Sequence, residues 1–282
     1  MWWALPKNES FSLSFPRKRK FSRQGLLLDS CRRRHDKLTI IFVFVVVISI
    51  SFTACRKPNP KARLYLASSL SVMLLDIETL AHRSEPVEVM FLSSSAIARQ
   101  VMSGAECDAM VLADEQWYHF LLKHQAISPD SMVLAHNRLV LVGDKNAKPM
   151  EFSQAIKILP KSAKLIVGDD QLNPLGVYTK EALLTYGFYT NVQEKLYRAP
   201  SARLASVLLK EGLSSWGVIY LTDALSDHHH IVAHIDQVKH RPITYPFIPC
   251  KDARRAKVQA IKRLLFSPEF KQALKNKGFM VD

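Results

Sequence analysis

From Arg63 onward the chain repeats one unit, in which a short apolar run is followed by a polar turn and then by an amphipathic stretch. The apolar runs of the five clearest units are LYLA, VEVMFL, AMVLA, LIVGD and WGVIYL. Strands that alternate with helices of about 10–15 residues predict parallel sheets with helices on both faces. The repeat therefore predicts an α/β protein built on mainly parallel sheets.

Serines follow two of these strands at the points where helices should begin. Ser69 follows the first apolar run, and the triplet Ser93–Ser95 follows the second. In open α/β sheets ligands bind outside the carboxyl ends of the strands, where hydroxyls and first-turn N–H groups can donate hydrogen bonds to an anion. A helix uses one serine as its N-cap. Two Ser-rich turns therefore favour an anion site, and the alternative is that each serine only caps a helix.

The helix after the serine triplet has a period that predicts its buried side. Ile97, Val101 and Met102 form an apolar stripe at helical spacing, which we expect to face the core. Gly104 and Gly187 stand where this helix and a later one should end.

The first 54 residues have the features of a secretory signal. They hold ten Lys or Arg against three Asp or Glu, which is half of the net charge of +14. Their apolar run, Leu38–Phe52, has 15 residues, whereas a membrane-spanning helix needs about 20. The sequence Phe52-Thr53-Ala54-Cys55 resembles a bacterial lipobox, in which the cysteine becomes the lipidated first residue. We therefore expect residues 1–54 to be a signal peptide with a long basic extension, and residues 55–61 to be a linker after a lipidated Cys55.

The alternative interpretation of this segment is an uncleaved signal anchor, in which Cys55 has no role. The 37 residues before Leu38 exceed the basic region of an ordinary signal, so we expect translation to start downstream of Met1. Lipidation at Cys55 predicts a protein held at a membrane surface in the periplasm or cell envelope.

The rest of the chain argues against nucleic acid and against structural zinc. Its charge of +7 is spread over 228 residues, with no basic run interleaved with aromatic residues, so we expect no nucleic-acid partner. After Cys55 the cysteines are Cys107 and Cys250, and no CxxC or Cys/His spacing occurs. Export permits a disulfide between the two, but their spacing leaves open whether one forms.

Four segments together resemble a known family. LASSLS, FLSSSAIARQVMSGAECDAMVLADEQW, GDDQLNPLGVYTKEAL and GVIYLTDA follow one another in the order and approximate spacing of the periplasmic molybdate-binding proteins of ABC transporters. The resemblance runs from about Leu64 to the C-terminal FKQALKNKGFMVD. It implies a two-lobed periplasmic-binding-protein fold of type II, each lobe a mainly parallel sheet flanked by helices, with the ligand in a cleft between them. We place lobe one at residues 61–136 and 244–282, and lobe two at residues 137–243.

The resemblance also implies which residues bind the ligand. The hydroxyls of Ser69, Ser94 and Tyr220 and the backbone N–H groups of Leu175 and Ala202 would donate to the anion. The implied function is capture of molybdate or tungstate by a monomeric lipoprotein, with no cofactor, and delivery to an ABC transporter permease in the inner membrane.

Four departures from the family pattern leave the identity of the anion open. Leu221 stands where a glycine often follows the tyrosine, and Ala202 stands where valine is common. Leu175 is larger than the residue usual at its position. Asp170 replaces a usual proline and adds negative charge near the expected cleft entrance.

The sequence leaves other functions open beside molybdate transport. The chain could bind another oxyanion, such as sulfate, or act as a sensor lipoprotein outside transport. A metal-ion receptor is a further alternative, because DHHHIVAH would place His228, His230 and His234 on one face of a strand. The other interpretation of this stretch is an exposed loop that follows a turn and enters a strand. A catalytic role is not expected, because the G-x-S-x-G, S-x-x-K, H-E-x-x-H and P-loop patterns are absent.

The lipobox predicts that Cys55→Ser prevents lipidation, because serine lacks the thiol that carries the lipid. We expect uncleaved precursor or soluble protein in place of the anchored form. Incorporation of labelled palmitate measures the difference, with Cys31→Ser, upstream of the apolar run, as the control. Equal labelling of the Cys55 variant and the wild type would show that Cys55 is not the lipidated residue.

Overall fold

Two five-stranded sheets organise the residues that the computed structural model describes, which are 61–81 and 86–281. The first sheet has the strand order β2 (Val87–Leu92), β1 (Ala62–Ala67), β3 (Ala109–Val111), β10 (Ile243–Pro249) and β4 (Met132–Asn137). The second has the order β7 (Leu196–Ala199), β6 (Leu165–Gly168), β8 (Trp216–Tyr220), β5 (Leu139–Val142) and β9 (Ile231–His234). We call the first sheet with its helices lobe one and the second sheet with its helices lobe two.

Helices occupy most of the connections between these strands. In lobe one they are α1 (Leu74–Ala81), α2 (Ser94–Met102), α3 (Glu115–Lys123), α9 (Arg255–Leu265) and α10 (Pro268–Asn276). In lobe two they are α4 (Phe152–Ala155), α5 (Pro174–Thr185), α6 (Tyr189–Val192), α7 (Ala202–Lys210) and α8 (Leu221–Ser226). Short 3₁₀ helices span Ser68–Met73, Gln193–Lys195 and Gln237–Lys239.

Four of the five strands in each sheet point the same way. Strand β1 pairs in parallel with β2 and β3, whereas β10 pairs antiparallel with β3 and β4. Strand β6 pairs in parallel with β7 and β8, whereas β5 pairs antiparallel with β8 and β9. The reversed strands, β10 and β5, are the first strands that the chain forms after each crossing between the sheets. The predicted two-lobed α/β fold with mainly parallel sheets is confirmed.

The central strands are buried along their whole length. Every residue of β5, β6 and β8 is buried, and β1 is buried except at Arg63. Burial on both faces explains why these strands have near-continuous apolar sequences, in place of the alternation of a half-exposed strand.

The chain crosses between the sheets at Arg138 and again through residues 235–242. The predicted boundaries placed Asn137 and Ile243 in lobe two. The ladder between β4 and β10 pairs these two residues with each other, which puts both in the first sheet.

Four of the helices that follow parallel strands begin at side chains that accept a hydrogen bond from a first-turn backbone N–H. These caps are Ser93 of α2, Asp114 of α3, Asn173 of α5 and Ser201 of α7. The predicted ends at Gly104 and Gly187 are confirmed, since these glycines follow α2 and α5 with φ of +83° and +75°. Glycine adopts this left-handed region without the steric cost of a Cβ.

The prediction that Met102 belongs to the buried apolar stripe of α2 is wrong. Ile97 is fully buried and Val101 is half-buried, but Met102 is 42% exposed. Met102 lies about 140° around the helix from Ile97 at 3.6 residues per turn. It has therefore turned away from the core.

A disulfide joins Cys107 to Cys250, with 5.8 Å between their Cα atoms. Cys107 precedes β3 and Cys250 follows β10, so the bond ties the amino end of one strand to the carboxyl end of its antiparallel neighbour. Both cysteines pack in the smaller hydrophobic cluster of lobe one, which includes Tyr65, Ile97 and Met110. The pairing that the spacing left open is therefore formed.

No helix among residues 61–81 and 86–281 is both long and apolar enough to cross a membrane. The predicted signal peptide, the linker and Cys55 lie outside the described residues.

Removing the disulfide should destabilise the fold. The bond closes a loop across a sequence separation of 143. Without the bond the unfolded chain has more conformational freedom, which favours unfolding. We expect Cys107→Ala with Cys250→Ala to lower the free energy of unfolding by about 2–5 kcal/mol, measured by urea denaturation. Reductant should lower the stability of the wild type and leave the double variant unchanged. Equal stability of the two proteins without reductant would contradict the prediction.

Candidate functional site

The five residues predicted to bind the ligand all lie at the carboxyl ends of parallel strands. Ser69 follows β1 and Ser94 follows β2, while Leu175, Ala202 and Tyr220 lie after β6, after β7 and at the end of β8. Each is at most 4% exposed. The strand ends of both lobes therefore place these five groups in buried positions.

The serines of the triplet have different hydrogen-bond partners. Ser93 is the N-cap of α2, and its hydroxyl accepts a hydrogen bond from the Ala96 N–H at 3.3 Å. Ser94 does not cap the helix, because its Oγ accepts from the Ala113 N–H at 3.0 Å. A hydroxyl that accepts one bond keeps its own hydrogen for donation. Ser94 therefore has a hydrogen available for a ligand.

Ser69 lies at the end of a chain of donors. The Asn137 side-chain amide donates to the Tyr245 hydroxyl at 3.0 Å, and the Tyr245 hydroxyl donates to Ser69 Oγ at 3.0 Å. The Ser69 hydrogen is then free to continue the chain. Successive hydrogen bonds of this kind polarise one another, so Asn137 and Tyr245 make Ser69 a better donor.

Leu175 and Ala202 supply backbone donors. They are the second residue of α5 and the first residue of α7, and the N–H groups at these positions have no carbonyl partner within their own helix. Helix N-termini also carry partial positive charge. The size of the Leu175 side chain does not remove its N–H donor.

Tyr220 presents a buried hydroxyl without a partner. Its side chain is 1% exposed, and the hydroxyl has no hydrogen-bond partner among the described residues. Burial raises the pKa of Tyr220 well above its ordinary value, and Tyr245 and Tyr178 add to this effect. The hydroxyl therefore keeps its hydrogen at any physiological pH and can only be satisfied by an acceptor.

Contacts between the lobes join the segment that carries Ser69 to the helices that begin at Ala202 and just after Tyr220. Asn137, which supports Ser69 from lobe one, also donates to Thr222 Oγ1 at 3.0 Å, two residues after Tyr220 in lobe two. The 3₁₀ helix Ser68–Met73 packs against both α7 and α8. The strand ends of the two sheets thus face each other across one cleft.

Comparison with known proteins assigns this architecture. Residues 63–280 match the family model described as bacterial extracellular solute-binding protein. The chain belongs to this family. It is 30% identical over 229 residues to the molybdate-binding protein ModA of Escherichia coli (strain K12), covering 78% of this chain and 89% of the relative.

Two further proteins are similar along most of this solute-binding protein. The ModA of Haemophilus influenzae (strain ATCC 51907 / DSM 11121 / KW20 / Rd) is 29% identical over 252 residues, covering 86% of this chain and 98% of that one. The solved periplasmic molybdate-binding protein of Azotobacter vinelandii shares the fold, with a TM-score of 0.68 at 19% identity over 79% of this chain and all of that one.

Two buried carboxyl groups that the sequence did not indicate belong to the same region of the solute-binding protein. Asp114 is 4% exposed, and burial raises its pKa to about 6, although the Trp117 N–H and the charge of Arg241 favour the ionised form. Asp223 is fully buried, neither of its carboxylate oxygens has a hydrogen-bond partner among the described residues, and burial raises its pKa to about 7. Arg203 approaches Asp223 to 3.9 Å and moderates this rise.

The charge expected from Asp170 at the cleft entrance is compensated. Its carboxylate lies 2.6 Å from Lys180 Nζ and 3.5 Å from Arg198 Nε. Burial alone would raise the pKa of Asp170, but the hydrogen bond from Lys180 and the charges of both cations lower it below its ordinary value. Asp170 therefore brings no net negative charge to the entrance.

The histidine-rich segment does not form the predicted strand face. His228 lies in a turn with φ of +58°, and β9 begins only at Ile231. His229 Nε2 lies 3.0 Å from Ser206 Oγ, and His230 Nε2 lies 2.7 Å from the Ala147 carbonyl. Among the described residues no group of three or more His, Cys, Asp or Glu side chains is arranged to hold a metal. The interpretation that His228 and His230 share a strand face is wrong, because both precede β9, and the alternative interpretation, a loop that enters a strand, is confirmed.

Asp114 should make the stability of the protein depend on pH. The unfolded carboxyl loses its proton near its usual pKa of 3.8 and the folded one near 6, so raising the pH through this window removes stability from the wild type. Asn caps a helix as well as Asp and has no charge to bury. We expect Asp114→Asn to be more stable than the wild type by on the order of 3 kcal/mol above pH 7, with the difference vanishing below pH 4.

Urea denaturation across pH 4–8 measures this difference. Glu115→Gln, on the exposed side of the same helix, is the control. Parallel pH profiles for wild type and Asp114→Asn would contradict the prediction.

Proposed function

We propose that this solute-binding protein captures molybdate or tungstate and delivers it to the permease of an ABC transporter. The observation that carries the proposal is the set of five buried, neutral donors at the facing strand ends of the two lobes: Ser69, Ser94, Leu175, Ala202 and Tyr220. The names of the two ModA relatives support the choice of ligand. The protein acts as a monomer at the cell envelope, anchored by a lipid at Cys55, and needs no cofactor and no catalytic step.

Neutral donors suit a tetrahedral dianion better than charged side chains do. Arg or Lys in the cleft would attract most anions alike. Hydroxyl and N–H donors on a rigid frame instead require an acceptor of a particular size at each position. Each hydrogen bond to a charged group contributes about 1.5–3 kcal/mol, and each helix N-terminus adds roughly 0.3–1 kcal/mol, up to about 2 when partly buried. Five such bonds, less an association cost of several kcal/mol, support micromolar or tighter binding.

Sulfate is the second candidate, because it is also a tetrahedral dianion that only accepts hydrogen bonds. Its shorter bonds make it smaller than molybdate, so a cleft sized for molybdate leaves some donors out of reach of sulfate. A sensor lipoprotein that binds the same anion without a permease is the remaining alternative, and it differs in partner rather than in site.

Calorimetric titration of the protein with molybdate, tungstate, sulfate and phosphate tests the proposal. We expect molybdate and tungstate to bind with similar affinity, and sulfate and phosphate to bind at least tenfold more weakly. Preference for sulfate, or no binding of molybdate, would overturn the proposed ligand.

Tyr220→Phe tests the site itself. The hydroxyl has no partner among the described residues, so its removal should leave the melting temperature of the ligand-free protein unchanged. It deletes one donor to a charged ligand, so molybdate affinity should fall about ten- to 150-fold. Tyr197→Phe, which changes an exposed tyrosine of β7, is the matched control. Unchanged affinity would remove Tyr220 from the site.

Ser94→Ala should lose both affinity and stability, since it removes the acceptor of the Ala113 N–H as well as a donor to the anion. We expect the affinity for molybdate to fall by the same range as in Tyr220→Phe. The free energy of unfolding should fall by about 1 kcal/mol or more, which lowers the melting temperature. Calorimetry and thermal melting without ligand separate the two effects. A lower melting temperature with unchanged affinity would show that Ser94 is only structural.

A further inference from the structure

The third serine of the triplet makes a hydrogen bond that crosses the cleft. Ser95 is fully buried, and its hydroxyl donates to the Leu172 carbonyl of lobe two. Leu172 lies in the turn between β6 and α5, immediately before the Asn173 cap. A helix cap or a ligand donor would not need this partner, so Ser95 has a different task from Ser93 and Ser94.

The direction of the neighbouring hydrogen bond follows from Ser95. Ser93 Oγ lies 3.1 Å from Ser95 Oγ, and the single hydrogen of Ser95 is used on Leu172. Ser93 must therefore donate to Ser95, while its own oxygen accepts from the Ala96 N–H. The cap of α2 thus fixes the position of Ser95 and adds to the strength of its bond to lobe two.

A second hydrogen bond crosses the cleft from α5, the helix that follows the Leu172 turn. Tyr178 of α5 is 2% exposed, and its hydroxyl donates to the Ala113 carbonyl of lobe one at 3.2 Å. Ala113 is also the residue whose N–H donates to Ser94 Oγ. Two contacts with lobe two therefore flank Ser94. One is made by its chain neighbour Ser95, and the other by Tyr178 through Ala113, whose N–H donates to Ser94.

We propose that Ser95 and Tyr178 form a two-point latch, which holds the start of α5 against the strand ends of lobe one when the cleft is closed. The inference rests on the proposed function, because α5 carries Leu175, one of the proposed donors, in its first turn. The latch bonds Ser95–Leu172 and Tyr178–Ala113 set the distance between the Leu175 N–H and the Ser94 hydroxyl. Ser95 and Tyr178 are positioning residues that do not touch the anion.

The latch acts on release more than on capture. Both bonds join different lobes, so they exist only in the closed state and lower its free energy alone. When the cleft is open, water satisfies all four groups. Both latch bonds must break before the cleft opens and the anion leaves. The anion enters an open cleft, in which the latch bonds have not yet formed.

Stopped-flow measurement of molybdate association and dissociation tests the latch on the full protein in detergent. Ser95→Ala and Tyr178→Phe each delete one neutral hydrogen bond between the lobes, so we expect dissociation to become about two- to 13-fold faster in each. Ser95→Ala also removes the acceptor of the Ser93 hydroxyl, but that bond lies within lobe one and is present in the open and the closed state alike. Association should stay within twofold, and the melting temperature without ligand should not fall. Ser103→Ala, at the exposed end of α2, and Tyr197→Phe are the matched controls.

Two results would overturn the latch. Wild-type dissociation rates in both variants would show that neither bond holds the closed state. A lower melting temperature without ligand, with the loss of affinity explained by slower association, would show that Ser95 and Tyr178 support the fold of a single lobe.

A distance measurement separates failure of the latch from failure of the proposed ligand. Spin labels at the exposed positions Lys123 of lobe one and Glu194 of lobe two report the closed fraction without any anion. If the wild type binds none of the tested anions, the proposed function fails. The latch then still predicts a larger closed fraction in the wild type than in the Ser95→Ala, Tyr178→Phe double variant, and equal fractions would refute it.

Discussion

The need to satisfy buried hydrogen-bond donors governs the cleft. Ser69 and Ser94 each accept one bond from the protein and have one hydrogen left over, and the Tyr220 hydroxyl has no partner among the described residues. A buried donor without an acceptor costs about 1–3 kcal/mol, so closing the cleft around these groups is more favourable when an acceptor comes with them. Under the proposed function, the anion supplies that acceptor. A ligand that carries its own hydrogen, such as hydrogen phosphate, would point one donor at another, so the same requirement discriminates against protonated oxyanions.

The buried carboxyl groups fit this scheme because burial makes them easier to protonate than ordinary carboxyl groups. An ionised Asp114 or Asp223 would repel a dianion, and at low dielectric the repulsion would be strong. Burial raises the pKa of both groups, to about 6 for Asp114 and about 7 for Asp223, so near neutral pH Asp223 is partly protonated and Asp114 is mainly ionised but easier to protonate than an ordinary carboxyl group. Arg203 attracts the ionised form of Asp223, but it also bonds to Asp227, and its charge is shared between the two. The carboxyl groups beside the cleft therefore carry less negative charge at neutral pH than ordinary carboxyl groups would.

The sequence predicts the parts of the structure that depend on local chemistry and leaves out those that depend on contacts between distant segments. The apolar runs, the caps and the glycine ends are local, so the five strand–helix units appear where the pattern places them. The prediction for Met102 is wrong because this residue lies about 140° around α2 from Ile97, outside the buried stripe. The strand face around His228 is wrong because the strand period was extended back into the segment that precedes β9. The chain of Asn137, Tyr245 and Ser69 spans a sequence separation of 176 at its last bond, and no periodicity carries that information. The burial of Asp223 could not be predicted for the same reason, since it depends on how α7 and α8 pack.

The serine triplet shows how one local motif serves three distant partners. Ser93 stands before the helix and turns its hydroxyl to the first turn, while Ser94 and Ser95 are the first two helical residues and point about 100° apart. That angle directs Ser94 to the end of β3 and Ser95 to lobe two, so neither can replace the other. A neutral bond is also the better choice for joining the lobes. A buried ion pair would cost desolvation on closing and would be strongly destabilising if only one partner were buried. A hydroxyl–carbonyl bond contributes about 0.5–1.5 kcal/mol, which is enough to slow release of a ligand and small enough for the cleft to reopen.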